Sequence, residues 1–156
     1  MGLMEEGGPV IWRPTATTSG PVATVGAPNI AVASLHTRIN EEVVDDSTYV
    51  GTGDSTSNGY VEFTMGGGNF GTGASAVLKL RLRRYTNFPT LNVTLGAKTF
   101  SAITPTTSFL DYELSLTAAE IAAWNIPSLK LRFTTLGFSG NRQIDISYVS
   151  LTITQA

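Results

Sequence analysis

Residues 76–85 read AVLKLRLRRY, with Leu78, Leu80 and Leu82 on one side of an extended chain and Lys79, Arg81 and Arg83 on the other. Side chains alternate faces along a strand, so this spacing describes a strand with one face buried and one wet. The same period recurs outward from it. YVEFTM (60–65) sets Val61, Phe63 and Met65 against Tyr60, Glu62 and Thr64. TLNVTL (90–95) groups Leu91, Val93 and Leu95, and FLDYELSL (109–116) groups Leu110, Tyr112, Leu114 and Leu116. SLKLRF (128–133) places Leu129, Leu131 and Phe133 opposite Lys130 and Arg132. ASLHTRIN (33–40) follows the same rule, with Leu35, Thr37 and Ile39 on one face and His36, Arg38 and Asn40 on the other. QIDISYVSLTIT (143–154) holds Ile144, Ile146 and Tyr148 in one phase and Val149, Leu151 and Ile153 in the other. Either both its faces are covered or a bulge shifts the phase.

Between these runs lie GTGDSTSNG (51–59), GGGNFGTG (66–73), TNFP (86–89), ITPTTS (103–108) and GFSGNR (137–142), rich in turn-forming residues. One segment departs from the pattern. TAAEIAAWNIP (117–127) has Thr117 three residues before Glu120, a capping-box spacing, then alanines and a closing Pro127. It reads as one or two helical turns near 117–124, with Ile121 and Trp124 directed at the core. The whole predicts an all-β chain, a β-sandwich with one short helix, and the strand count fits a jelly roll.

Residues 1–32 read differently. GGPVIWRPTATTSGPVATVGAPN (7–29) spaces four prolines among glycines, which excludes a helix and biases the chain towards extended geometry. Residues 1–32 are expected to form an extended N-terminal arm, with 33–156 as the sandwich domain. Val10, Ile11, Trp12 and Arg13 are then the arm's partner-binding anchor, because so Pro-rich a segment offers Trp12 no core of its own.

Composition removes several functions. The 156 residues contain no Cys and one His, which excludes disulfide frameworks, thiol catalysis and multi-His metal sites. Ten basic residues against twelve acidic ones lack the positive excess of a nucleic-acid binder. No apolar run is long enough for a membrane-spanning helix, and MGLMEEGGPV does not read as a Sec signal. Only 14% of residues are charged; 22 Thr and 13 Ser carry the polarity instead, which suits strands.

The candidates for chemistry are few. His36 stands opposite the apolar row of its segment and reads as a surface-strand histidine, with no nucleophile-elbow motif to serve it. Glu41, Glu42, Asp45 and Asp46 are the densest acidic cluster. Calcium needs six to eight converging oxygens, to which Asp45, Asp46 and Asp54 could contribute. The spacing matches no EF-hand, and the simpler reading is a capped turn before a strand near Tyr49. GGGNFGTG lacks the Lys and the following helix of a phosphate-binding loop. Lys79, Arg81, Arg83, Lys130 and Arg132 would form one basic face if their strands were neighbours; Asp111 and Glu113 across from them would neutralise it. No catalytic residue, cofactor or metal ligand is assigned, and an enzyme is not expected.

The succession RPTA (13–16), LHTRINEEVVDDSTYV (35–50), YVEFTM, LKLRLR, LTAAEIAAW and LKLRF resembles small jelly-roll structural proteins of tailed bacteriophages and prophages. Leu35, Ile39, Glu41, Asp45, Asp46, Tyr49, Val50, Arg81, Arg83, Leu116, Thr117 and Glu120 carry the resemblance. It implies a capsid decoration (cement) protein that binds the major capsid protein, sits on the virion surface after synthesis in the host cytoplasm, and forms a homotrimer. The alternatives are a tail or fibre accessory protein, or a carbohydrate-binding module using Tyr60, Tyr85, Phe88, Tyr112 or Trp124.

Overall fold

A computed structural model describes residues 9–19, 32–52, 60–66, 73–84, 90–124, 128–136 and 144–155. Among these, the strands are β1 (Val10–Ser19), β2 (Val50–Thr52), β3 (Tyr60–Gly66), β4 (Gly73–Arg84), β5 (Thr90–Leu95), β6 (Lys98–Ile103), β7 (Leu110–Thr117), β8 (Lys130–Leu136) and β9 (Ile144–Gln155). A 3-10 helix spans Val32–Arg38, and one α-helix, α1, spans Ala118–Ala122. All pairings are antiparallel. One sheet runs β1-β9-β4-β7, with β2 also on β9; the other runs β1-β3-β8-β5-β6. The inward rows of both sheets meet in one core, where Phe63 and Phe133 pack edge to face with centroids 5.9 Å apart. The chain is an all-β sandwich, as its alternation predicts.

Strand β1 belongs to both sheets, which corrects the arm. Val10, Ile11 and Trp12 pair with Ile153, Thr152 and Leu151 of β9, and from Arg13 onward the strand pairs with β3. The register shifts between Pro14 and Ala16, and the strand crosses from one sheet to the other beside this bulge. Pro14 has no N–H to donate and is tolerated at such an irregularity. Trp12 is only 1% exposed, so it is a core residue and cannot anchor a partner. The chain therefore does not divide into an arm and a domain at Ala33; residues 20–31 lie outside the described residues.

Two local expectations also change. The segment 32–38 is a 3-10 helix, not a strand: Leu35 within it is buried, Thr37 is exposed, and Ile39, just past its end, is buried too. In β9 a bulge does shift the phase. The register breaks opposite Arg81 and Leu82, so that Ile144, Ile146, Val149, Leu151 and Ile153 all join the core; the other face is covered as well, with Asp145, Ser147, Tyr148 and Ser150 all buried.

Helix α1 closes the β7–β8 connection as its capping box predicts. The Thr117 side chain accepts from the Glu120 N–H, while Glu120 Oε1 accepts from the Thr117 N–H at 3.0 Å. Ile121 is buried, and the Trp124 N–H ends the turn on the Ile121 carbonyl at 3.0 Å.

Candidate functional site

The β5–β6 turn and the α1–β8 connection meet at one end of the sandwich. Between them lies a cleft of about 500 Å³ lined by Gly96, Ala97, Lys98, Glu120, Ala123, Trp124, Ser128, Leu129 and Lys130. Its mixture of an aromatic wall, aliphatic surface and a few charged groups is that of a small-molecule site.

The turn is held by Gly96, whose φ is +58° and whose N–H donates to the Lys130 carbonyl at 3.0 Å. A Cβ at this position would lie 3.3 Å from Trp124 Cδ1 and 3.4 Å from Leu129 Cδ1. Glycine is thus required both for the left-handed conformation and for the close seat of the indole. Trp124 is half-buried, and the buried Trp12 stands behind it at 6.5 Å between centroids.

The charged wall is equally fixed. Glu120 Oε2 meets Lys98 Nζ at 3.1 Å, while Oε1 accepts from both the N–H and the hydroxyl of Thr117. The Thr117 hydrogen bonds, followed by Lys98, hold the Glu120 carboxyl below its ordinary range. Lys130 Nζ donates to Thr64 Oγ1 at 2.5 Å. Trp124 was legible from the sequence both as a core-directed residue and as one of five aromatic candidates, and it stands half-buried on the cleft wall. Gly96, Lys98 and Glu120 were not legible, because only the fold brings the β5–β6 turn to α1; the sole prior signal was the capping role of Glu120.

The basic residues do not form one face. Lys79, Arg81 and Arg83 lie on β4 and Lys130 and Arg132 on β8, in opposite sheets of the sandwich. Most are also matched by acids. Arg81 grips Asp46 with Nε and Nη2, both at 2.8 Å, and reaches Asp111 at 3.2 Å, while Lys79 lies 3.8 Å from the same Asp111. Arg83 Nε meets the fully buried Asp145 at 2.7 Å, and its guanidinium stands over the rings of Tyr49 and Phe109 at 5.1 and 4.5 Å. Arg132 pairs with Glu62 at 2.8 Å and covers the Tyr60 ring at 3.7 Å.

Asp45 and Asp46 of the acidic cluster are spent on structure. Asp45 Oδ1 accepts from the N–H and hydroxyl of Ser47, the capped turn expected before β2. Asp46 accepts Arg81 and the Ser147 hydroxyl at 2.7 Å, which straps the 41–49 loop across the outer face of β4 and β9. Asp54 lies outside the described residues. Among the described residues no group of three or more His, Cys, Asp or Glu is arranged to hold a metal. His36 is on the 3-10 helix and not a strand; its N–H donates to Thr17 Oγ1 at 2.7 Å, and Nδ1 lies 3.2 Å from the same oxygen. Arg13 Nε donates to the Glu41 carbonyl at 3.1 Å, and Ile11 is 44% exposed on β1. Of the other aromatic candidates, Tyr112 is half-buried against the core, whereas Tyr85 and Phe88 lie outside the described residues.

No family model matches the chain, and no curated protein matches it. Solved structures do. A family 35 carbohydrate-binding module from Clostridium thermocellum aligns at a TM-score of 0.53 and 14% identity, over 93% of this chain and 98% of that one. The C-terminal family 6 module of a laminarinase from Zobellia galactanivorans aligns at 0.50 and 9% identity, over 94% and 99% respectively. A family 35 module from Paenibacillus barcinonensis aligns at 0.47 and 16% identity, over 96% and 100%. The first two support the jelly-roll form of the sandwich. The capsid-decoration reading is corrected: the two folds matched at a TM-score of 0.50 or above are carbohydrate-binding modules, and the anchor it relied on is a strand of the core. The capsid partner and the trimer rest on that reading alone.

Proposed function

We propose that this chain is a non-catalytic carbohydrate-binding module that holds its sugar in the cleft walled by Trp124. The observation that carries this reading is the half-buried indole, seated on Gly96 and backed by Trp12, beside the Lys98–Glu120 pair. A pyranose presents a flat face of C–H bonds rimmed by hydroxyls. An indole offers that face a rigid apolar platform, and flanking charged groups take up the hydroxyls. The folds of the family 35 and family 6 modules support the same reading. The absence of Cys, the single His bound to Thr17, and carboxylates engaged by arginines and hydroxyls favour binding over catalysis.

The test is calorimetric titration of the chain with a panel of soluble plant, algal and microbial polysaccharides, alongside Trp124→Ala. At least one saccharide should bind saturably, and Trp124→Ala should abolish that binding while its circular dichroism remains that of the parent. A panel without any binding, or a Trp124→Ala protein that binds as the parent does, contradicts the reading.

A further inference from the structure

The two sheets end on edge strands of unlike build. Natural sheets protect an edge by shortness, bulging or charge, because its free N–H and C=O groups invite another strand. β6 lies behind a register shift against β5, with Lys98 at its start and Ala102 at φ +56°. β2 is three residues long. β7 has neither device. It runs for eight residues without a proline, and its register on β4 is unbroken from Ser75–Thr117 to Leu82–Leu110. Among the described residues no strand pairs with its other side.

The side chains of β7 are as incompletely covered as its backbone. Leu110, Tyr112, Leu114 and Leu116 share the core-facing side, yet only Leu116 is buried; Leu110 is 46% exposed, and Tyr112 and Leu114 are half-buried. The outer side restricts what can pair there. Asp111 is matched by Lys79 and Arg81, and Glu113 is exposed opposite Lys79. An antiparallel strand of the same sequence centred on Asp111, Tyr112 or Glu113 would set carboxylate against carboxylate, which is destabilising. Centred on Leu114, it sets Glu113 opposite Ser115, Asp111 opposite Thr117, Tyr112 opposite Leu116 and Leu114 opposite its own copy. The acids then face uncharged residues and the apolar rows meet, so β7 is self-complementary in this one register.

We propose that a second copy of this chain pairs with β7, antiparallel about Leu114, and continues the β1-β9-β4-β7 sheet across a two-fold axis. Such a contact is isologous and closes at two copies. It is independent of the saccharide reading.

Sedimentation velocity of the full chain from ~5 to ~500 μM should show monomer passing to dimer with no larger species, because a single strand pair is a small interface of low affinity. Ser115 is exposed, so its variants keep the fold. Ser115→Glu opposes Glu113 of the second copy and should weaken the dimer roughly tenfold; Ser115→Lys should tighten it by a similar factor, an effect that salt removes. The chain has no Cys, so Leu114→Cys supplies a single thiol. At the axis the two thiols would sit on Cα atoms roughly 4.5–5.5 Å apart, within disulfide reach. Mild oxidation should cross-link Leu114→Cys to a dimer and leave Glu113→Cys monomeric. A chain that stays monomeric throughout the range, a Leu114→Cys protein that cross-links no faster than Glu113→Cys, or equal dimerisation of the two Ser115 variants overturns the proposal.

Discussion

Trp12 and Trp124 lie 6.5 Å apart between ring centroids, with their planes inclined by 35°. The first is 1% exposed and the second half-buried. The pair joins core to cleft: β1 brings Trp12 into the sandwich, and Trp12 supports the indole that walls the site.

Trp12→Ala should therefore act on stability. Removing so large a buried side chain costs about 3–5 kcal/mol, from lost burial and the residual cavity. Trp124→Ala, at a half-buried position, should cost clearly less. Urea unfolding of both variants checks this; equal midpoints would contradict the core assignment of Trp12. Deleting residues 1–19 should likewise prevent folding, because it strips a strand from both sheets.

Gly96→Ala should injure the turn and the cleft together. A side chain at φ +58° costs roughly 1–2 kcal/mol, and the added Cβ meets Trp124 Cδ1 at 3.3 Å. The expected result is a lower unfolding midpoint accompanied by a changed tryptophan emission. A variant with the parent's stability and spectrum would show that the indole does not rest on this turn.

The alternating runs were legible because one buried face imposes a period of two, and that rule holds in β3, β4, β5 and β8; on β7, by contrast, only Leu116 of the expected row is buried and Leu110 is 46% exposed. It misled where another force set the geometry. Leu35 and Ile39 fit an alternation, yet the segment packs against β1 as a 3-10 helix. Prolines at 9 and 14 suggested an arm, yet Pro14 sits beside the bulge where β1 changes sheets, a place that needs no ladder hydrogen bond from it. The two opposite phases of β9 were visible, and pairing with β4 shows the bulge to be the cause. The cleft was the least legible feature. Lys98 and Glu120 are 22 positions apart, and nothing local announces that a β-turn and a helix cap will share a wall.

The Asp46–Arg81 clasp predicts an acid-sensitive strap. Hydrogen bonding to Arg81 holds the Asp46 carboxyl below its ordinary value of 3.8, with Ser147 adding to it against the opposing effect of burial. A lowered folded-state value means that the unfolded chain takes up the proton first as pH falls. The stabilisation is complete above about pH 4 and is lost as pH drops through the folded value. Asp46→Asn should be less stable than the parent at pH 7, and the gap should narrow between pH 4 and pH 2. Urea unfolding at pH 7, 4 and 2.5 measures it, and a gap that stays constant with pH would remove Asp46 from the acid response.

The central claim is that the sugar lies against Trp124 at the β5–β6 end of the sandwich. Backbone and indole amide shifts followed by NMR during titration with a bound saccharide test it most directly. The account predicts that the largest changes fall on Gly96, Lys98, Ser128, Leu129 and the Trp124 indole N–H, with Trp124→Ala erasing them. Changes confined to the opposite end, around Tyr49, Thr106 and Phe109, would contradict it.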